Sequence, residues 1–595
     1  MNFQLQRRAF LASKDFYNRK LNSNRDLLNA SIDVRDAVGS QIASLVPICR
    51  FNMGSQEVIS KLTMWRNEHQ DTFPSRFLAT DEGTRTWIES HLVENPDRML
   101  FLVVDLEMRI VAHVGAAVHE NAPGFELDSV MKGSQDLPPG FMVTVTSALH
   151  GFLNKEFMID ELRLKVLLSN TRAVKFYEKL GYVELERTGL RWDGEHGASN
   201  LVESDRALPH DSYVAMSKDL SRLEDVPQMI LTAGPSVGAN EIVYTAEAAK
   251  FGWNERHSDY LNEFEGVFRE ITGAKFAMAT SSCTAALHLA YSSLGLGPGD
   301  EVIVPELTWV ATAAAVRYTG ATPVFADVDS RSWTMSTSSV RALITDKTKA
   351  IVPVHLYGYS ADMASVMDLA TEFDLKVVED AAPSIGTSFG DRHVGTFGDV
   401  GCFSFQGAKL LVTGEGGMVV TDDPDIAKRL RKLQEHGRKP ETFWIEELGF
   451  KYKMSNLQAA FGLGQLERME VQVAQKEQIN LWYRDMLSQV EGIHFQEAFE
   501  SSKSIHWMTS IRFETELGIQ IPEFRSYLKE NGVDTRPVFP SISQYPMWPI
   551  RQDPQPISSL IARTAVNLPS GVGLSRGSVE KVSNTIQAFM ELKRG

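Results

Sequence analysis

A lysine stands among small and apolar residues in Phe403-Ser404-Phe405-Gln406-Gly407-Ala408-Lys409, and the glycine-rich run Thr413-Gly414-Glu415-Gly416-Gly417 follows it. A lysine amine becomes a usable nucleophile when burial or a neighbouring positive charge lowers its pKa. Upstream, Val377-Val378-Glu379-Asp380-Ala381-Ala382 places an acid at the end of an apolar strand. That carboxyl edge is where open α/β sheets bind ligands. Thr280-Ser281-Ser282-Cys283-Thr284-Ala285-Ala286 reads as a helix start, whose N–H groups, dipole and hydroxyls can hold a phosphate. Thr308-Trp309 follows a strand end, where an indole can stack on a flat ring. Each feature has an ordinary reading: a solvated lysine, an N-cap, a strand-end turn. Together, in this order, they fit a pyridoxal phosphate site, with Asp380 facing the protonated pyridine nitrogen and Lys409 as the Schiff-base amine.

At these residues the sequence resembles the DegT/DnrJ/EryC1/StrS sugar aminotransferases, members of fold type I. The resemblance runs from about 230 to 595. It takes in Gly299-Asp300-Glu301-Val302-Ile303-Val304-Pro305, Pro353-Val354-His355-Leu356-Tyr357-Gly358 and Lys453-Met454-Ser455-Asn456-Leu457-Gln458-Ala459-Ala460 besides the runs above. It implies that Lys409 carries the cofactor and then moves the proton between Cα of the amino acid and C4′ of the cofactor. It further implies that Asp380 pairs with the pyridine nitrogen, that Trp309 stacks, and that Cys283, Thr284 and Ser404 hold the phosphate. Lysine, where the family's deoxygenating branch has histidine, favours transamination over dehydration. Cys283 stands where glycine is usual, Pro383 where His or Gln often follows, and Ser543 where many relatives have His. Lys451 occupies the place of a partner-subunit asparagine that reaches the phosphate, and a lysine can replace that donor as a point charge. Gly252-Trp253-Asn254 and Asp534-Thr535-Arg536-Pro537 are most similar to perosamine-synthase-type members. Those members act on a nucleotide-linked 4-keto-6-deoxyhexose. A homodimer with shared aminotransferase sites is implied as well.

A second motif lies upstream. Ser169-Asn170-Thr171-Arg172-Ala173-Val174-Lys175-Phe176-Tyr177-Glu178-Lys179-Leu180-Gly181-Tyr182 resembles the closing motif of the GNAT acyltransferases. The resemblance makes Tyr177 the general acid for a departing CoA thiolate, and Asn170 a residue of the splayed turn beside acetyl-CoA or another acyl-CoA. The ordinary alternative is a core tyrosine with its hydroxyl satisfied elsewhere. Lys132-Gly133 and Pro139-Gly140, ahead of the helix at Phe141, offer backbone donors to a pyrophosphate, Gly140 foremost. Glu126 and Asp128 are candidates for the base that frees the acceptor amine.

The elements that must position these residues follow from periodicity. Residues 1–47 are polar and mixed in charge, and read as an N-terminal extension of no assigned role. From 48 to 220, strands at Phe101–Asp105, Ile110–Val114, Leu162–Leu168 and Tyr213–Ser217 alternate with helices at Phe141–Asn154 and Thr171–Leu180. A charged, Pro- and Gly-containing stretch, 221–235, is the expected linker. From 236 to 475, strand and helix alternate as in a doubly wound, mainly parallel sheet. From 476 to 595 the rhythm loosens into a small α+β domain. The expected fold class is α/β, and the two resemblances imply a GNAT-like α/β domain followed by a fold type I aminotransferase made of a large α/β domain and a small C-terminal α+β domain.

Composition sets bounds. The chain has 595 residues, a formal net charge of −16 and three cysteines. That acidity opposes a nucleic-acid face, and no basic helix-turn-helix segment is present to suggest a transcription regulator. Scattered cysteines oppose disulfides and zinc, and fit a reducing cytoplasm. Arg7-Arg8 lacks the apolar segment an export signal needs, and no apolar run is long enough for a membrane helix. The expected partners are small molecules: nucleotide sugar, glutamate and acyl-CoA. The alternative is an aminotransferase whose first domain only assembles or regulates.

Overall fold

A computed structural model of the chain describes residues 3–594 apart from 22–26, 28–29, 37–39, 71–74, 120–123, 135, 158, 196–197, 204–211, 221–228, 441 and 549–551. The chain divides into two units, Met1–Glu224 and Asp225–Gly595.

The first unit is built on a ten-stranded sheet. Its order is Ile32–Arg35, Gln41–Pro47, Arg98–Asp105, Ile110–His119, Gly124–Lys132, Glu161–Leu167, Ser212–Asp219, Val183–Glu195, Ala198–Glu203 and Ser75–Arg76. All neighbours are antiparallel except Gly124–Lys132 and Glu161–Leu167. Parallel neighbours need a crossover, and the helix Phe141–Phe157 supplies it with Val145, Leu149 and Leu153 fully buried. The parallel pair is joined only at Phe125↔Leu162 and Glu126↔Arg163, and the two strands part beyond. The first of them also carries an irregularity opposite His113–Gly115, where Ser129 adopts φ +54 and its carbonyl accepts from His113 Nδ1 at 2.5 Å.

Two expectations are corrected here. Residues 1–47 are not an aperiodic extension, because Phe3–Lys20 is a helix and Gln41–Pro47 pairs with Arg98–Asp105. The helix is held by aromatic burial: Phe10 is fully buried, with ring centroids 5.8 Å from Phe125 and 5.5 Å from Phe157. Charged residues between its apolar positions weaken the period in the sequence. The stretch 221–235 is also not a free linker along its whole length. Residues 221–228 lie outside the described residues, but Ile230 is fully buried and bridges Val533, and the Thr232 hydroxyl donates to Asp534.

In the second unit, seven strands form a sheet in the order Phe276–Thr280, Gly417–Thr421, Val400–Ser404, Lys376–Asp380, Thr348–Ile351, Glu301–Pro305, Thr322–Ala326. Only Gly417–Thr421 runs against the rest. Such a sheet is buried on both faces, which is why Val302, Val304, Val352, Val378 and Val400 are fully covered. A four-stranded sheet, Ile493–Phe495, Ser510–Phe513, Ala565–Asn567 and Arg536–Pro537, packs with the helices Met469–Leu487 and Arg576–Arg594 around Ile479, Tyr483, Phe524 and Val582. The expected boundary at 475 falls inside the helix Met469–Leu487, whose inner face mixes Gln472, Gln475 and Lys476 with Val471 and Ile479 and so hides its period. Among the described residues no helix is long and apolar enough to cross a membrane, and no group of His, Cys, Asp and Glu could hold a metal ion.

The strand Lys376–Asp380 is anchored just behind its functional end. Glu379 is fully buried and accepts from Gly395 N (2.7 Å), Gly398 N (2.7 Å) and His355 Nε2 (3.0 Å). His355 Nδ1 accepts from Ala361 N at 3.2 Å, so the ring proton sits on Nε2. Removing the acceptor strands buried donors at about 1–3 kcal/mol each. Glu379→Ala is therefore expected to destabilise this unit by about 3–5 kcal/mol, read as a lower urea midpoint of its transition.

Candidate active site

Lys409 lies on the connection between Val400–Ser404 and Gly417–Thr421. Backbone bonds close that connection into a tight hairpin: Phe405 N to Gly416 O (3.0 Å), Thr413 N to Phe405 O (2.8 Å) and Gly407 N to Gly414 O (2.9 Å). Gly414 takes φ +81, which favours glycine at the turn. Lys409 N donates to Gln406 O at 2.8 Å, which fixes where the side chain leaves the loop. The side chain keeps partial exposure, yet enough protein surrounds the amine that desolvation pulls its pKa down to about 8, against the opposing charge of Asp380.

Asp380 ends its strand 4% exposed. Its carboxylate accepts from Thr312 Oγ1 (2.7 Å) and Ala382 N (3.1 Å). Burial nevertheless raises its pKa, so the carboxylate is short of a cationic partner. A protonated pyridine nitrogen is such a partner, and this fits the cofactor.

Cys283 and Thr284 are the first two residues of the helix Cys283–Ser293, capped by Ser282 Oγ, which accepts from Ala285 N at 3.1 Å. Burial pushes the Cys283 thiol well up, and Asp380 adds to this, so it is a neutral thiol in the same pocket. Gly417 lets this helix start approach the sheet, since a Cβ there would lie 2.6 Å from Ser282 backbone atoms. Ser404, buried at its strand end, accepts from Gln406 N at 3.4 Å. Lys409, Asp380 and Cys283 lie close enough to act on one another electrostatically, and Ser404 pairs with Gly417, which abuts the helix start, so these residues fit the aldehyde, ring and phosphate ends of pyridoxal phosphate.

Trp309 stands one residue from the acid, since Thr312 Oγ1 lies 3.2 Å from Trp309 O and 2.7 Å from Asp380 Oδ2. Trp309 is 57% exposed, and its indole meets Phe539 at 5.7 Å between centroids. It precedes the helix Ala311–Tyr318. Lys451 is exposed and bridges Glu435 through the backbone, not the Asp380–Lys409 pair. Its neighbour Tyr452 accepts from Ser281 N at 2.7 Å, which places that segment beside the helix start. Ser543 donates its hydroxyl to the buried Glu306.

The sequence reading missed an aromatic series. Trp507, Tyr357, Phe539 and Trp309 follow one another with centroids 6.1, 5.5 and 5.7 Å apart. Trp507 begins it beneath Lys409, whose Nζ is 4.0 Å from the indole centroid. These four rings come from distant segments, so no spacing could announce them.

In the first unit, Tyr177 lies on the helix Thr171–Lys179 directly after one of the parting strands. Its ring meets Phe176 at 5.3 Å and Tyr182 at 5.8 Å. Burial, then Asp128, raises its pKa to about 12. Asn170 caps this helix, its side chain accepting from Ala173 N at 3.1 Å. Gly133 N donates to Val111 O at 3.0 Å, so Gly133 extends the pairing at the end of the strand Gly124–Lys132 and is not an open donor. Gly140, at φ +84, leads into the helix Phe141–Phe157.

Comparison with known proteins agrees with this site in the second unit. Residues 235–587 match the DegT/DnrJ/EryC1/StrS aminotransferase family. GDP-perosamine synthase of Caulobacter vibrioides is 37% identical over 363 residues, which is 60% of this chain and 98% of that protein. Among solved structures, the aminotransferase TlmJ of Streptoalloteichus hindustanus superposes with a TM-score of 0.59 at 29% identity, covering 62% of this chain and all of that one. DesV of S. venezuelae gives 0.56 at 31% identity, covering 59% and 95%. The family match leaves residues 1–234 outside it. With a buried acid and a depressed lysine where the family reading expects them, and a match over more than half its length, the chain belongs to the pyridoxal phosphate-dependent DegT/DnrJ/EryC1/StrS aminotransferases.

Proposed function

We propose that the second unit transfers an amino group from glutamate to a nucleotide-linked 4-keto-6-deoxyhexose, for synthesis of a cell-surface polysaccharide or glycan. The observation that carries this reading is the pairing of a buried, partner-short Asp380 with a Lys409 amine near 8. Similarity to GDP-perosamine synthases over nearly their whole length supports the substrate class. When bound, the cofactor acts as the electron sink for the carbanion at Cα. Asp380 holds the ring nitrogen protonated, and the Cys283–Thr284 helix start and Ser404 hold the phosphate. Lys409, deprotonated in a useful fraction near neutral pH, takes the Cα proton of the donor and returns it across the cofactor. Shared sites in a homodimer belong to this proposal, and the exposed Lys451 is the residue offered to the partner.

The first unit, in the same proposal, is a GNAT acyltransferase that acylates the new amine from acetyl-CoA or a related acyl-CoA. Support comes from the single parallel strand pair, joined over two residue pairs and then parting, with Tyr177 on the helix that follows. At about 12 its hydroxyl stays protonated and can donate to a departing thiolate. Gly140 opens the helix whose N–H groups would meet the pyrophosphate. A non-catalytic assembly or regulatory module is the second reading, favoured by Asn170 and Gly133 both being occupied within the fold.

The test incubates the full chain with glutamate, acetyl-CoA and nucleotide-linked 4-keto sugars, and reads products by mass. The expected result is an amino sugar that gains an acyl group only when the thioester is present. Tyr177→Phe is expected to lower acylation by about 10²- to 10⁴-fold and leave amination unchanged. Amination with no acylation, and no heat on titrating acetyl-CoA, would establish the module reading.

A further inference from the structure

Lys409 is covalently engaged for only part of any reaction cycle, and its amine must occupy some defined place when released. The structure shows one. The Nζ atom lies 4.0 Å from the centre of the Trp507 ring, within the range at which an ammonium is attracted to an indole face. The indole is itself fixed from the lysine's own loop, since Nε1 donates to Ala408 O at 2.9 Å. The ring therefore cannot move away independently of the residue next to Lys409.

The backbone of Trp507 is pinned from behind. Its carbonyl accepts from Lys476 Nζ at 2.8 Å, and the same amine donates to Ser570 O. Lys476 is 4% exposed on the helix Met469–Leu487, where no carboxylate partners it among the described residues. A lysine buried without a counter-charge is uncommon, because the charge is costly to desolvate. Here it serves as a donor to two carbonyls, tying the Trp507 segment to the segment at Ser570. Gly358 completes the fit: at φ +92 it lies against this backbone, and a Cβ there would stand 2.7 Å from Trp507 N.

We propose that Trp507 is a further functional residue of the site, the surface that receives the Lys409 ammonium whenever the amine is not covalently engaged, and that Lys476 is the positioning residue that holds this surface in place. The inference rests on Lys409 being the Schiff-base lysine. An indole face favours the charged amine over the neutral one, so it opposes the desolvation that lowers the Lys409 pKa. Asp380, from the strand Lys376–Asp380, also favours the charged form, and the Cys283 thiol faces the amine from its helix start. Beside Trp507 stand Lys476, lowered to about 7 by burial, and His506, lowered to about 4 by burial. Removing the indole face should therefore make Lys409 titrate lower.

The experiment labels the lysines of the cofactor-free full chain with a trace amine reagent across pH and quantifies Lys409 and Lys476 separately by mass spectrometry. Trp507→Leu is expected to move the Lys409 midpoint down by about half to one pH unit, and Trp507→Phe by less, because benzene faces attract cations more weakly. Lys476→Met, which leaves the ring but frees its backbone, is expected to move it in the same direction. An unchanged or raised midpoint in folded Trp507→Leu and Trp507→Phe proteins would overturn the seat. Lys409→Ala separates this from the underlying reading: loss of the lysine-linked visible absorbance with an unmoved midpoint rejects the seat alone. Absorbance that persists in Lys409→Ala rejects both.

Discussion

Replacing Lys409 by alanine is expected to abolish the lysine-linked visible absorbance of the protein with pyridoxal phosphate and to lower transamination by on the order of 10⁴-fold. The effect is large because one amine serves twice: it carries the cofactor and it moves the proton at Cα. Structural damage would be small by comparison. Lys409 stands on a hairpin closed by backbone bonds, and its own Nζ makes no contact that the strands need. Far-ultraviolet dichroism and the urea midpoint should stay near those of the unsubstituted chain. Removing a desolvated cation should, if anything, favour the folded state below pH 8. A Lys409→Ala protein that keeps its absorbance would end the assignment.

The Asp380→Asn substitution is expected to lower amination by about 10²- to 10⁴-fold, the equivalent of about 3–5 kcal/mol for breaking a buried charge pair. Asparagine keeps an acceptor for Ala382 N at Oδ1, and its amide NH2 can donate to the Thr312 hydroxyl oxygen where Oδ2 accepted before, so the strand end survives. What it loses is the charge that keeps the pyridine nitrogen protonated. The stability effect has the opposite sign in the cofactor-free chain. The folded pKa of Asp380 is raised above its unfolded value, so its contribution is fully present below about pH 4. It is lost as pH rises through the folded value. At neutral pH the charged group is a cost, and Asp380→Asn relieves it. Thermal unfolding with and without cofactor checks this: the substituted chain should gain less on adding pyridoxal phosphate. An equal gain in both chains would show that Asp380 is not the partner of the ring nitrogen.

Much of this site was legible in the residue order because each part is a local device. A lysine in a tight glycine-bounded loop, an acid ending an apolar strand and a Ser/Thr-rich helix start are each set by a few neighbouring residues, and Lys409, Asp380 and Cys283 fall where those devices put them. The N-terminal helix Phe3–Lys20 was not legible in the same way. Its stability comes from Phe10 meeting Phe125 and Phe157, which lie more than a hundred residues away in the chain.

The sequence by itself determined the alternation of strand and helix, the order of the chemical groups and the family they resemble, since these depend on short-range pattern and on residue type. Only the tertiary structure decided which groups share one space. Trp507 reaches Lys409, Lys476 reaches Trp507 and Thr312 reaches Asp380 across separations that periodicity does not encode. The same packing turned Asn170 into a helix cap and kept Gly133 N bonded at a strand end. The physical reason is common to all of these. Burial, which shifts a pKa or gives a hydrogen bond its direction, belongs to surfaces brought together by folding and not to the residues taken in order.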